Sequence, residues 1–248
     1  MQEKTITITA AAKCDAGERN NEDSAYIKMD DSNTFVAVIA DGVGGLNDGE
    51  IASRYITKAV EVWFRDFGES LRRLTIEEVL TEMERVTIRI HEELLDIASE
   101  CGKRFGSTMT FAIIGRKKYA IVQVGDSRAY MHDGSWVTLI TKDQTVAEYE
   151  KETGEKLGHV PEQRKAHTLL QCMGMGEISP KTYTGVLPRN FDILLCSDGL
   201  SNTLTEVDIK REVKESPSCA TALNRMIRIA RTRGEKDNIT GILIRRRG

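Results

Sequence analysis

The chain has 248 residues, 40% of them apolar and 29% charged, with 20 Gly and 4 Pro, a balance that excludes a disordered or collagen-like chain. Its 35 basic and 38 acidic residues leave a net charge of −3, so no overall field draws it to nucleic acid or to an anionic membrane. The longest apolar run, Phe35 to Ala40, falls far short of the roughly 20 residues of a membrane-spanning helix. The start, Met1-Gln2-Glu3-Lys4, has neither the apolar stretch nor the small-residue cleavage site of a signal peptide. Together these features predict a cytoplasmic protein with one domain over residues 1–248 and with no nucleic-acid or membrane partner. The 5 cysteines, Cys14, Cys101, Cys172, Cys196 and Cys219, are scattered, lack the paired spacing of a zinc site and fit reduced thiols.

Thr5 to Ala10 alternates Thr with Ile, the period of a half-exposed strand, and Phe35 to Ala40 reads as a buried strand. Helical patterns follow from Asp48-Gly49 to about Phe67 and from Thr75 to about Glu100, the second with Val79, Leu80, Met83, Val86, Ile90, Leu94 and Ile97 on one face. Thr75-Ile76-Glu77-Glu78 is a capping box for that helix. Ser107 to Ile140 breaks into short β runs and predicts an antiparallel meander, with Asp133-Gly134 as a hairpin turn. Gln144 to Lys165 is dense in Glu and Lys and reads either as a helix-containing segment standing off the core or as a solvated loop. Asp192 to Cys196 and Ile239 to Ile244 read as strands, and helices start between them at about Thr205 and at Ser216-Pro217. Arg245-Arg246-Arg247 reads as a solvated tail, and Arg225, Arg228 and Arg231 as a wet helix face. Strands, paired helices, strands and paired helices again predict an α+β fold with helices layered outside antiparallel sheets.

Acidic residues recur where strand-like runs meet Gly or polar turns: Asp41-Gly42, Asp126, Asp198-Gly199 and, just before a strand, Asp237-Asn238. One such Asp merely bonds its own turn. Several at one sheet edge repel one another unless cations neutralise them. All-oxygen ligation selects Mg²⁺ or Mn²⁺, Gly42 would let its carbonyl approach as a ligand, and paired metals support phosphoryl hydrolysis.

The ordered set Asn21-Glu22-Asp23, Asp41-Gly42-Val43-Gly44-Gly45 with Gly49-Glu50 and Ala52-Ser53, Gly106-Ser107-Thr108, Val124-Gly125-Asp126-Ser127-Arg128-Ala129-Tyr130, Leu195-Cys196-Ser197-Asp198-Gly199-Leu200 and Asp237-Asn238-Ile239-Thr240 resembles the PPM-type (type 2C) metal-dependent protein serine/threonine phosphatases. Each motif alone is weak, and their order from about Thr5 to Arg245 makes the set specific. The resemblance implies a four-layer α/β/β/α sandwich of two antiparallel β-sheets flanked by helices. It implies two Mn²⁺ or Mg²⁺ ions bridged by Asp41, with the Gly42 carbonyl on one and Asp198 and Asp237 completing the other. Glu22 and Asp23 resemble the acidic pair that orients metal-bound waters, and Asp126 resembles a ligand of the third, weaker metal of bacterial-type members. Direct attack by water without a phosphoenzyme is implied, on phosphorylated protein substrates, with a cognate Ser/Thr kinase as the opposing activity.

Three positions depart from the family's pattern. The phosphate-gripping Arg expected four residues before Glu22 is Glu18, which leaves Arg19 as the candidate. Val43 stands where many eukaryotic members have a His, as apolar residues do in bacterial-type members, and Gln144 stands where a Thr-x-Asp-His motif would end. The segment 144–165 resembles the family's variable flap. The spacing of Cys219 and Arg225 matches cysteine-dependent phosphatases, but the intervening residues lack Gly and read as helix. The 4 histidines show no ligand spacing. A non-catalytic binding module of the same fold and a hydrolase of small phosphate esters are the competing readings.

Overall fold

The computed structural model describes residues 6–18, 20–43 and 48–248. In chain order the elements are β1 (Thr7–Asp15), β2 (Asp23–Met29), β3 (Phe35–Val43), α1 (Gly49–Phe67), α2 (Ile76–Cys101), β4 (Gly106–Ser107), β5 (Met109–Ile114), β6 (Lys118–Val124), β7 (Arg128–His132), β8 (Val137–Leu139), α3 (Val146–Thr153), β9 (Lys181–Val186), β10 (Phe191–Cys196), α4 (Asp198–Ser201), α5 (Glu206–Glu215), α6 (Cys219–Thr232) and β11 (Ile239–Arg247). They form a 5-stranded sheet ordered β1-β11-β10-β7-β8 and a 6-stranded sheet ordered β2-β3-β5-β6-β9, with β4 paired to β3. All the pairings are antiparallel.

The alternation of side chains along each inner strand divides the apolar residues among three cores. On β3, Phe35, Ala37 and Ile39 face the other sheet and pack with Ile193, Leu195, Ile242 and Ile244, while Val36, Val38 and Ala40 pack under α1 and α2 with Ile56, Met83 and Ile90. On β10 and β11, Leu194, Cys196 and Leu243 face α5 and α6. Strands covered on both faces lose their polar positions, which is why Phe35 to Ala40 reads as a continuous apolar run rather than an alternating one. Each fully buried Val, Leu or Ile contributes about 1.5–3 kcal/mol, and together these side chains fix the four layers as helices, sheet, sheet, helices.

Local chemistry sets the helix boundaries. Thr75 and Glu78 form the capping box of α2, and Thr205 with Asp208 forms another on α5. The cap of α6 is Ser218, whose hydroxyl accepts from the Thr221 amide at 3.1 Å, so the helix begins beyond the Ser216-Pro217 start read from sequence. The meander read over Ser107 to Ile140 is two hairpins in different sheets: β5 and β6 lie in one, β7 and β8 in the other, and Gly125-Asp126-Ser127 carries the chain across. Both β2 and β9 lie at sheet edges and mix polar with apolar residues, so neither stands out from its composition.

The terminal arginine cluster is not a solvated tail. Arg245 and Arg246 are buried in β11, which lies between β1 and β10. Arg245 donates through Nε to Asp192 Oδ1 at 2.7 Å and through its other nitrogens to the carbonyls of Ser216 and Val213. Arg247 reaches Asp192 Oδ2 at 2.6 Å, and His132 Nδ1 stands 3.0 Å from the same oxygen. A carboxylate 1% exposed thus holds cations from one strand, which offsets the cost of burying both signs. Asp192→Ala is expected to lower stability by about 3–5 kcal/mol by leaving Arg245 buried without its partner; an unchanged urea midpoint would overturn that assignment.

Candidate metal centre

The strand ends bring the acidic motifs to one end of the sandwich. Asp23 opens β2 opposite Asp41 in the β2–β3 ladder. Asp126 lies at the crossover between the sheets, Asp198 follows the end of β10, and Asp237 precedes β11. The hydroxyl of Ser197, between β10 and α4, donates to Asp23 Oδ2 at 2.9 Å and accepts from the Thr240 amide at 3.0 Å, which joins the two sheets. Asn238 adds a second tie: its Oδ1 accepts from the Glu22 amide at 2.8 Å and its Nδ2 donates to Ala16 O at 3.1 Å.

Asp41 is held through its backbone, which leaves its carboxylate for the site. Its amide donates to Thr108 Oγ1 at 3.0 Å, and its carbonyl accepts from the Thr108 amide at 2.8 Å and the Ser107 hydroxyl at 2.9 Å. The Thr108 and Ser127 hydroxyls meet at 2.7 Å. The Gly106-Ser107-Thr108 motif is therefore a clamp on Asp41. A Cβ at Gly42 would stand 2.5 Å from the Gly49 backbone and 2.6 Å from the Glu22 carbonyl oxygen, and one at Gly199 would stand 2.1 Å from the Asn238 oxygen. Any side chain at either glycine would push the acidic loops apart. Arg231 is not on a wet face: it donates to the Asp237 carbonyl at 2.7 Å and pairs with Asp15 at 2.5 Å, so it buttresses the loop that carries Asp237.

Burial and mutual repulsion raise these carboxyls. Burial, then the charges of Asp23, Asp198, Asp126 and Asp237, holds Asp41 well above the usual carboxylate range. Asp23 is pushed up to about 6 by burial against the opposing pull of neighbouring hydroxyls, and Asp126 up to about 7 by burial and then by Asp198 and Asp143. Asp198 is raised by burial and by Asp237. Asp23 Oδ1 and Asn21 Oδ1 are buried without a hydrogen bond of normal geometry. An oxygen-only donor set with buried lone pairs and excess negative charge fits hard divalent cations. Among the described residues no three Asp, Glu, His or Cys side chains stand close enough together to hold a metal ion by themselves, and Mg²⁺ does not require such a set, since it binds through one or two carboxylates and keeps several waters.

The structure brings together Asp23, Asp41, Asp126, Asp198 and Asp237, with Glu22 beside them and Gly42 pressed against Gly49. Arg19 lies outside the described residues. The segment 144–165 carries α3 and is closed on itself by the Glu150–Lys165 pair at 2.8 Å. A cavity of about 210 Å³ between this segment and the cluster is lined by Asp126, Asp198, Arg128, Glu148 and Asn202. Sequence reading missed the bidentate Arg128–Asp143 pair, at 2.8 and 2.6 Å, and Asn202, whose Nδ2 donates to Asp198 Oδ2 at 3.1 Å. Asn202 lies four residues beyond Asp198, on the same side of a helical turn, and that spacing was the available signal. His167, set aside for want of ligand spacing, lies near enough for its charge to lower Asp198, behind the larger effects of burial and Asp237.

The sequence profile of protein phosphatase 2C matches residues 12–243. The chain belongs to the protein phosphatase 2C family. The serine/threonine phosphatase stp of Listeria monocytogenes is 29% identical over 232 residues, covering 92% of this chain and 90% of that protein. The serine/threonine protein phosphatase PstP of Mycobacterium tuberculosis is 28% identical over 98% of this chain, which spans 46% of that longer protein. Among solved protein phosphatase 2C structures, Staphylococcus aureus Stp1 superposes with a TM-score of 0.85 at 26% identity, covering 98% of this chain and 96% of that one. The catalytic domain of PstP in complex with two manganese ions superposes with a TM-score of 0.81 over 98% of this chain and 100% of that one, and at 24% identity it shows the shared fold. These matches agree with the two sheets and outer helices of a bacterial-type member.

A carboxyl whose folded pKa exceeds its unfolded value stabilises the fold while protonated, and that contribution is lost as pH rises through the folded pKa. For Asp126 the loss extends to about pH 7. In EDTA near pH 8, Asp126→Asn is expected to melt at least about 3 °C above the parent, and the gain should shrink towards pH 4. A pH-independent difference between the two melting curves would refute the burial of this charge.

Proposed function

We propose that this chain hydrolyses phosphoserine and phosphothreonine on proteins, using Mn²⁺ or Mg²⁺ ions held by the acidic cluster. The observation that carries the proposal is the convergence of Asp23, Asp41, Asp126, Asp198 and Asp237 from both sheets, with burial and then mutual repulsion raising Asp41 and Asp198. The family membership and the names of the Listeria and Mycobacterium relatives support the same reading.

Asp41 would bridge two ions, the Gly42 carbonyl would hold one of them, and Asp198 and Asp237 would hold the other. Glu22 and Asp23 would orient the waters of that pair through hydrogen bonds, and Asp126 would serve a third, weaker site. Bound there, the ions would lower the pKa of a shared water and stabilise the charge of an in-line displacement at phosphorus. The chain's own residues set the geometry: Thr108 and Ser107 fix Asp41, Ser197 fixes Asp23, Asn202 orients Asp198, and Arg231 holds the Asp237 loop. Arg19 would grip the substrate phosphate with its planar guanidinium. Val43 has no proton to give, so it takes no part in protonating the leaving alcohol. The segment 144–165 would act as a flap beside the cluster, and a Ser/Thr kinase would supply the substrates.

Hydrolysis of a phosphothreonine peptide should require Mn²⁺ or Mg²⁺ and stop in EDTA. Asp41→Asn and Asp198→Asn should each cost more than the roughly 10–100-fold typical of changes to groups that only support a metal ligand, with the circular dichroism spectrum retained. Turnover close to the parent's in either variant would remove the two-ion assignment, and metal binding without turnover in the parent would favour the non-catalytic module. Arg19→Ala should raise KM more than it lowers kcat if the guanidinium binds phosphate equally in ground and transition states; unchanged kinetics would move that role to another residue.

A further inference from the structure

A concavity larger than the one beside the acidic cluster lies elsewhere among the described residues. A groove of about 1190 Å³ opens at the opposite end of the sandwich, with Leu71, Leu74, Ile76, Val79 and Ile113 among the residues at its floor and Ile6 beside them. It lies where β3 begins and β5 ends, roughly 20 Å of strand from Asp41. Its rim carries Arg116, Lys117, Lys118 and Arg189. All four are exposed, and among the described residues none pairs with a carboxylate. Cations elsewhere on the surface are commonly paired, as in Arg54–Glu50, Lys58–Glu61 and Arg85–Glu82 at 2.7, 2.7 and 2.6 Å.

Arg246 organises this rim. It is 8% exposed, donates to the carbonyls of Arg116, Pro188 and Arg189, and stacks on Phe191 at 4.6 Å. It thereby ties the β5–β6 turn, the β9–β10 loop and β11 into one wall and adds a positive charge behind it. A wall held by a buried cation and rimmed by four exposed cations that lack a carboxylate partner among the described residues places positive charge beside the apolar floor, in a chain of net charge −3.

We propose that this groove docks an extended, acidic segment of a partner protein that carries apolar side chains at intervals. Charge complementarity selects the acidic groups, and the recessed apolar floor selects the side chains between them. A flat bilayer would meet the rim cations but could not reach the floor, so the concave shape favours a peptide over a membrane. Docked there, a partner leaves the acidic cluster open at the far end. If the phosphatase reading holds, a flexible connection from the docked segment to a phosphorylated residue raises the local concentration of that residue at the cluster.

The test uses the full chain and a fluorescein-labelled peptide of twelve residues with six Asp or Glu and three Leu or Phe, followed by fluorescence anisotropy. Micromolar binding is expected, weakening with salt. It should fall about tenfold or more in Lys117→Glu/Lys118→Glu and fall again with Ile6→Ser, with Lys210→Glu as an unaffected charge control. No saturable binding, equal loss in the control, or binding indifferent to Lys117→Glu/Lys118→Glu would overturn the proposal. Capture by phosphatidylserine vesicles without peptide binding would overturn it in favour of a membrane, and self-association abolished by the same charge reversal would overturn it in favour of a second copy. Turnover of para-nitrophenyl phosphate, measured on the same variants and expected to be unchanged, reports separately on the catalytic reading.

Discussion

Carboxylates that repel one another are gathered at one end of the sandwich, and the surrounding chain opposes that repulsion at each step. Ser197 joins Asp23 to the Thr240 amide, Thr108 and Ser107 grip the Asp41 backbone, and Gly199 lets the Asp198 turn press against the Asn238 carbonyl. Every one of these contacts holds backbone or a single carboxylate oxygen, so negative charge stays concentrated instead of being quenched by an Arg or Lys. A structural salt bridge would have neutralised it. Burial first, and the neighbouring carboxylates after it, raise Asp23, Asp41, Asp126 and Asp198, and a divalent cation would offset both costs.

Such a cluster needs a scaffold that does not relax, and the three apolar cores supply it. The inner strands are gripped on both faces, so a shift of β3 or β10 by one residue would exchange its two apolar sets between layers. Register is therefore fixed by packing on both sides, and the strand ends that carry Asp41 and Asp198 inherit that precision. Preorganisation of charged groups comes here from the middle of the sheets rather than from the loops.

Much of this was legible in the residues, for identifiable reasons. Phe35 to Ala40, the Thr75 capping box and the Asp-Gly turns were plain because continuous apolar runs, caps and turns are local signals. The edge strands β2 and β9 were not, because a strand packed on one face with polar residues on the other has no composition of its own. The crossing from one sheet to the other at Asp126 looked like one more turn in a meander, since sheet membership depends on pairing with distant β9 and β10. The arginines of β11 read as solvated because charge argues for water until a buried partner is known, and Asp192 gave no sign of being one. Of the acidic set, the sequence marked each member, while the support given by Ser197, Arg231 and the Arg128–Asp143 pair became visible only in three dimensions, and that of Asn202 had only its four-residue spacing from Asp198 as a signal.

The position of β11 has a bearing on how the molecule is made. The strand lies between β1 and β10, so among the described residues β1 has no hydrogen-bonded neighbour in its sheet until β11, which begins only at Ile239, is in place. The other sheet, built from strands of the intervening chain, can assemble with α1 and α2 well before that. Contacts between segments so far apart close slowly, and until β11 is in place one sheet is packed while an edge of β10 is bare, a state exposed to aggregation. Asp237 is brought into place by the same late event, so the acidic cluster is completed only when the second sheet closes.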